Sequence, residues 1–207
     1  MPSGNEERKF KLCAGDSALE LVNTLDWRFR DSGTEELIES YDDVADFTQQ
    51  TGLLNAKQAK VLRRGTGASA GNRVVAEVRE LREALADLLY SGLDGMNSSG
   101  ASIRALERFF QQAREQTKLV RDGARLRWEW AAGAETKAEF LLWLLARAAS
   151  RLMLSENVQK VRACDNPECR WLFLDTSKNH TRRWCNMKIC GNRMKARRFK
   201  AQRRAAV

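Results

Sequence analysis

The chain has 207 residues, 43% of them hydrophobic, and a formal net charge of +9. That size and apolar content suit one ordinary domain with a small appendage, or two small domains, and exclude wholesale disorder. The N-terminal MPSGNEERKFKL lacks the apolar run of a secretory signal. The longest apolar segment, Phe140 to Ala149 with Arg147 inside it, is too short to span a bilayer, so the expectation is a soluble cytoplasmic protein.

The charge is unevenly placed. Residues 160–207 carry 14 Lys or Arg against Asp165, Glu168 and Asp175, which leaves 22 basic and 24 acidic side chains for residues 1–159. The excess is confined to the C-terminal fifth, and no acid follows Asp175. Such asymmetry points to a polyanion partner for that end alone.

The first 160 residues read as mostly helical. Asp16 or Ser17 caps a first helix with Leu19, Val22, Leu25 and Phe29 along one side. Asn23 and Thr24 fall inside it, where short polar side chains are unfavourable. Either they face solvent or they hold a polar contact inside the domain, and a structural hydrogen bond to a neighbouring loop is the favoured reading because buried polar groups are paired. After the break at Asp31-Ser32-Gly33, Thr34 is expected to cap a short helix carrying Leu37 and Ile38. Ser40 and Asp43 form a capping box for the next, which packs Tyr41, Val44, Ala45 and Phe47 and stops at Gly52. Asn55 caps a third segment through Val61 and Leu62, which runs into a soft linker from Gly65 to Gly71.

Val74, Val78, Leu81, Leu85 and Leu88 step by four and three and mark a core-facing helix. A loop from Gly92 to Gly100 follows, then a helix from about Ser102 to Gln116 packing Ile103, Leu106, Phe109, Phe110 and Ala113. At residues 118–130 the period changes to two. Leu126, Trp128 and Trp130 share one face of a hairpin turned at Asp122-Gly123, and so short a hairpin needs a body to lie on. Residues 135–160 form the most buried helix and run almost directly into Cys164. No P-loop, dinucleotide fingerprint or nucleophile elbow occurs in this region, and it contains no histidine. The chain is therefore not read as an enzyme. Cys13 is expected to be an unremarkable half-buried thiol.

The remaining stretch, CDNPECRWLFLDTSKNHTRRWCNMKICGNRMKARRFKAQRR, holds two C-x4-C pairs, Cys164/Cys169 and Cys185/Cys190, fifteen residues apart. Paired cysteines at short spacing let one turn of backbone present two thiolates to one ion, and four sulfurs close the tetrahedral shell of a structural zinc. An iron–sulfur cluster would group three cysteines more tightly, and disulfides are disfavoured in a reducing compartment. His180 is redundant as a ligand and is read as free on its loop or as a phosphate contact. A catalytic zinc would need an open position, which four sulfurs remove.

Trp171 to Leu174 reads as a strand, with a second returning through Arg182-Arg183-Trp184. A helix then runs from Cys190-Gly191 to Arg204, giving a plan close to a treble clef. On it Arg193, Arg197, Lys200 and Arg204 fall within about 60° of one another at 100° per residue, a single cationic stripe. Phe199 and Ala196 are expected to pack on Trp184 or Trp171. Arg182, Arg183 and Arg198 add to the same basic surface, which suits DNA. Arg193 and Arg197 lie nearest the helix start and are the best placed for guanine edges. RNA is the alternative partner, with Trp171, Phe173 or Trp184 stacking on unpaired bases. A third possibility is a small-molecule-binding helical domain with an accessory finger, supported only by Asn23-Thr24 and Trp27-Arg28.

These residues resemble the CGNR zinc-finger family, whose naming tetrad stands here as Cys190-Gly191-Asn192-Arg193. The C-D-N-P-E-C, W-L-F-L-D-T-S, R-R-W-C and K-A-R-R stretches match as well. The preceding region resembles the helical ABATE domain, with Leu21-Val22-Asn23-Thr24 matching its early signature. The resemblance implies residues 1–160 as the helical domain and 161–207 as the finger, with Cys164, Cys169, Cys185 and Cys190 holding one zinc. It also implies a bacterial protein acting in stress-related transcription, whose finger binds DNA. The leading expectation is a DNA-binding regulator whose helical domain senses an effector or forms a homodimer.

Overall fold

The computed structural model describes residues 10–205 of the chain. Most of the N-terminal stretch read for a secretory signal, residues 1–9, lies outside them. The described residues form seven α-helices and three two-stranded antiparallel sheets. Among the described residues no helix is long and apolar enough to cross a membrane.

The centre is built by α4 (Ala68–Leu93) and α6 (Phe140–Met153). Along α4 the stripe Val74, Val78, Leu81, Leu85 and Leu89 is buried, while Leu88 lies partly exposed beside it. In α6, Phe140 to Ala146 are buried without interruption, so the helix is covered all round. Burying each such side chain contributes roughly 1.5–3 kcal/mol before entropy is charged against it. Around this pair stand α2 (Tyr41–Gln50), α3 (Ala56–Gly65) and α5 (Gly100–Glu115). The capping boxes at Ser40/Asp43 and Asn55/Gln58 are both formed.

Several local expectations are corrected. The first helix, α1 (Ser17–Val22), does not reach Phe29. The chain turns at Asn23-Thr24 into β1 (Leu25–Asp26), which pairs with β2 (Glu35–Glu36) where a helix capped by Thr34 was expected. The reason is tertiary: Asn23 and Thr24 are buried and hydrogen-bonded to distant groups, as described below. The segment Gly65–Gly71 is no linker, because α4 begins at Ala68 and Gly71 is buried within it. A Cβ on Gly71 would lie 3.2 Å from Cβ of Tyr41, so the glycine is what lets α2 approach α4. Ile103, expected to pack, is exposed.

The hairpin of β3 (Thr117–Asp122) and β4 (Arg125–Trp130) forms, and its loop residues are Gly123-Ala124. Trp130 meets the Phe140 ring edge-on at 5.1 Å and anchors the hairpin to α6. Toward the tip the same face runs out of body, and Leu126 is 66% exposed.

The helical region passes into the cysteine module through β5 (Val161–Ala163), which pairs with β6 (Leu172–Leu174). Arg182-Arg183-Trp184 is therefore not the partner strand. The hairpin brackets the first cysteine pair instead, and its strands belong to the common core: Val161, Leu172 and Phe173 are buried with the helical residues and the four cysteines. The last element, α7 (Asn192–Ala205), leaves this module with every side chain from Lys195 to Arg204 exposed.

Candidate metal centre and basic helix

Each cysteine pair is wound around an asparagine. In the first, Asn166 is wholly buried and its carbonyl accepts from Cys169 N and Arg170 N at 2.9 and 3.0 Å. Its side-chain amide donates to Cys190 Sγ at 3.7 Å, linking the two pairs. In the second, Asn186 accepts from Lys188 N and Ile189 N through Oδ1, and from Cys190 N through its carbonyl at 2.9 Å. Both turns thus fold back within four residues, which explains why the x4 spacing delivers two sulfurs to one point.

The ligand atoms of Cys164, Cys169, Cys185 and Cys190 all lie within 4.8 Å of one another, and all four residues are buried. Crowded sulfurs cannot all ionise without a cation. The neighbouring Cys164, Cys169 and Cys185 thiols, with Asn166 adding a smaller effect, hold the Cys190 thiol far below its usual range, whereas Cys185 is pushed far up by Cys13 and then by the other three cysteines of the cluster. An ion resolves this conflict by replacing the shared protons. The donor set, its burial and its size fit zinc with all four positions filled by sulfur, and the centre holds one structural zinc. His180 lies outside the cluster, its ring nitrogen 3.3 Å from the Asp175 carbonyl.

The tetrad that follows divides its labour. Cys190 supplies a sulfur. Gly191 leaves room for Met187 and Trp184, since a Cβ there would meet Met187 Sδ at 2.5 Å and Trp184 Cδ1 at 3.3 Å. Asn192 donates to the Lys188 carbonyl at 3.1 Å and ties α7 to the second turn. Arg193 reaches back to the helical region, its guanidinium 5.0 Å from the Trp27 ring centre.

Besides Arg193, the expected nucleic-acid residues fall into three groups. Arg182 is turned inward. Its guanidinium donates to the carbonyls of Trp184, Cys13 and Cys185 at 3.0, 3.0 and 2.5 Å and lies over Phe173 at 4.3 Å. Arg183 and Arg197 are exposed but paired, with Asp165 at 2.5 Å and Glu168 at 2.7 Å. Arg198, Lys200 and Arg204 are exposed and make no ion pair among the described residues, as do Lys195 and Arg203, which the stripe reading did not single out. Phe199 is 61% exposed and packs on neither Trp184 nor Trp171.

Asn23 and Thr24, the candidate effector residues, are occupied. Asn23 donates from Nδ2 to the Leu172 carbonyl and accepts from Leu172 N, both at 2.9 Å. Thr24 donates to the Leu21 carbonyl at 2.7 Å and accepts from Arg82, which is itself held by Glu36 through two contacts of 2.7 Å. The space beside them measures about 10 Å³, roughly one water. Sequence reasoning missed this Arg82–Glu36 pair and also Asp26, which accepts from Trp27 N and Trp171 Nε1 at 2.7 and 2.8 Å. Burial raises the Asp26 carboxyl above its ordinary range. None of these residues carries a short-range motif, so no sequence signal marks them.

A closed four-sulfur centre whose last ligand opens a cationic helix defines a zinc-finger protein. Residues 160–203 match the model of the CGNR zinc finger. Residues 15–156 match that of the ABATE family, described as "Putative stress-induced transcription regulator", and the chain belongs to that family. No curated protein matches the chain.

Proposed function

We propose that this protein is a zinc-dependent DNA-binding regulator of transcription, in which the zinc builds the finger and α7 contacts the phosphate backbone. The observation that carries the reading is α7 itself. Seven of its fourteen residues are Lys or Arg, it contains no acid, and only Arg197 has a carboxylate partner among the described residues. A solvated surface mixes both signs, and this one does not. The description of the ABATE family points the same way.

Phosphate contacts would dominate affinity and make it steeply salt-dependent. Base stacking of the RNA-binding kind has less support. Phe173 is fully buried, Trp171 donates to Asp26, and Trp184 is half-buried. A catalytic role has none from the zinc, whose shell is closed. The test is charge reversal: Arg193, Arg197, Lys200 and Arg204 to glutamate, with zinc content measured alongside. Loss of duplex retention at full zinc occupancy is the expected result. Retention equal to that of the parent protein would sink the proposal.

A further inference from the structure

A groove lies where the end of α5, the β3–β4 hairpin and α6 meet. Its volume is about 280 Å³, with Phe110, Ala113 and Trp128 among its apolar lining and Ser150 offering a hydroxyl, while the Thr117 hydroxyl is engaged with Arg114. Three guanidinium groups line it: Arg114 from the last turn of α5, and Arg147 and Arg151 one helical turn apart on α6. No acidic side chain lines it.

The helical region is rich in carboxylates, and many of its arginines use them. Arg28 pairs with Glu83, Arg63 with Asp46, Arg82 with Glu36 and Arg108 with Glu80. Arg114, Arg147 and Arg151 make no ion pair among the described residues, although three like charges sharing one concavity repel. Two of them are nonetheless fixed in place. Arg114 lies over the Trp128 ring at 3.2 Å and donates to Thr117 Oγ1 at 3.2 Å, and Arg147 sits 5.2 Å from the Trp130 ring centre. Stacking of this kind holds the planar fork at little further cost in entropy when an anion arrives. Guanidinium forks match phosphate oxygens two at a time. The apolar wall beside them suits a ring, and the volume lies near the lower end for small-ligand pockets.

We infer that this groove binds a small phosphorylated molecule bearing a planar ring, of the nucleotide class. Its phosphates lie among Arg114, Arg147 and Arg151, and its ring lies against the Phe110–Trp128 wall. The inference does not rest on DNA binding by α7, and its test reads the groove alone.

Zinc-loaded full-length protein is titrated with ADP, GDP, pyrophosphate and adenosine, followed by calorimetry and tryptophan fluorescence. At least one of the two nucleotides is expected to bind saturably at one site, pyrophosphate more weakly, and adenosine not at all. The double variant Arg147→Ala, Arg151→Ala should weaken nucleotide affinity by about tenfold or more, with zinc content and melting temperature unchanged. If it fails to fold, Arg151→Glu alone, at an exposed position, should show the same direction. A variant with Arg197, Lys200 and Arg204 changed to glutamate should bind nucleotide as the parent does. Absence of saturable binding by both nucleotides, binding that survives the groove substitutions, or binding lost with the α7 substitutions would each overturn the inference. So would loss of duplex retention by the groove variant in a protein that binds no nucleotide, because the groove would then be part of the nucleic-acid surface.

Discussion

At Asn23 a single carboxamide takes the place of a neighbouring strand. Its donor and acceptor satisfy the carbonyl and N–H of Leu172, 149 residues away, on the edge of β6 that β5 does not cover. Asn23→Ala leaves both groups buried and unpaired, which should cost about 2–6 kcal/mol at 1–3 kcal/mol per orphaned group, read from urea unfolding. An unchanged midpoint would show that water replaces the amide. Glu20, in α1, sets a different test. It is 7% exposed, and burial lifts its carboxyl from 4.5 to about 7, although Ala14 N donates to it at 2.6 Å. The folded state therefore holds a proton that the unfolded chain has already lost between those pH values. The resulting stabilisation is complete below about pH 4.5 and disappears as pH rises through 7, at most about 3 kcal/mol. Glu20→Gln should gain on the parent protein as pH goes from 5 to 8. Measuring both at matched zinc removes the contribution of the thiolates, and a constant difference across that range would refute the assignment.

Among the elements, α7 is the least supported by its surroundings. Beyond its first turn its side chains are exposed and only Arg197 finds a carboxylate, Glu168, among the described residues, while its cations at three- and four-residue spacing oppose one another by about 0.2–0.5 kcal/mol per pair. A helix of fourteen residues is marginal on its own in water. Phosphates that neutralise the stripe should therefore raise its helicity. Circular dichroism at 222 nm is expected to grow on adding duplex DNA and to fall back as salt is raised. No change in a complex that demonstrably forms would mean that α7 is already complete. The helix and the clustering of the four cysteines were legible in the sequence because both depend on short spacing, such as the four residues between the cysteines of each pair. The capping boxes of α2 and α3 and the apolar stripe of α4 were legible for the same reason. What was hidden depends on distant partners. Helix α1 stops at Val22 because Asn23 is claimed by β6, β5 pairs across the first cysteine turn, and Arg182 is drawn inward by the carbonyls of Cys13 and Cys185. No window of neighbouring residues contains those facts.

In the whole molecule the finger is no bead on a string. Strand β6 exchanges hydrogen bonds with the body along its length: Asn23 both donates to and accepts from Leu172, and the Ala14 carbonyl accepts from Leu174 N at 2.7 Å. Each such bond contributes on the order of 1 kcal/mol, whereas a structural zinc supplies on the order of 10 kcal/mol or more to a small finger. The ion therefore decides whether the module stands, and the hydrogen bonds decide how far its loss is felt. Helices α4 and α6 carry a core of their own and should survive chelation, while β5, β6 and α1 should not. Hydrogen exchange after treatment with a strong chelator is expected to show fast exchange at Leu172 and Leu174, spreading to α1. Protection should remain in the middle of α4 and α6, and added zinc should restore the original pattern. Duplex retention measured in the same samples separates two accounts of binding. The chelated chain keeps every lysine and arginine, so binding driven by charge alone would persist. Binding that needs the finger to hold α7 against the module, through Asn192 on Lys188 and Arg193 on Trp27, would be lost with the ion and return with it.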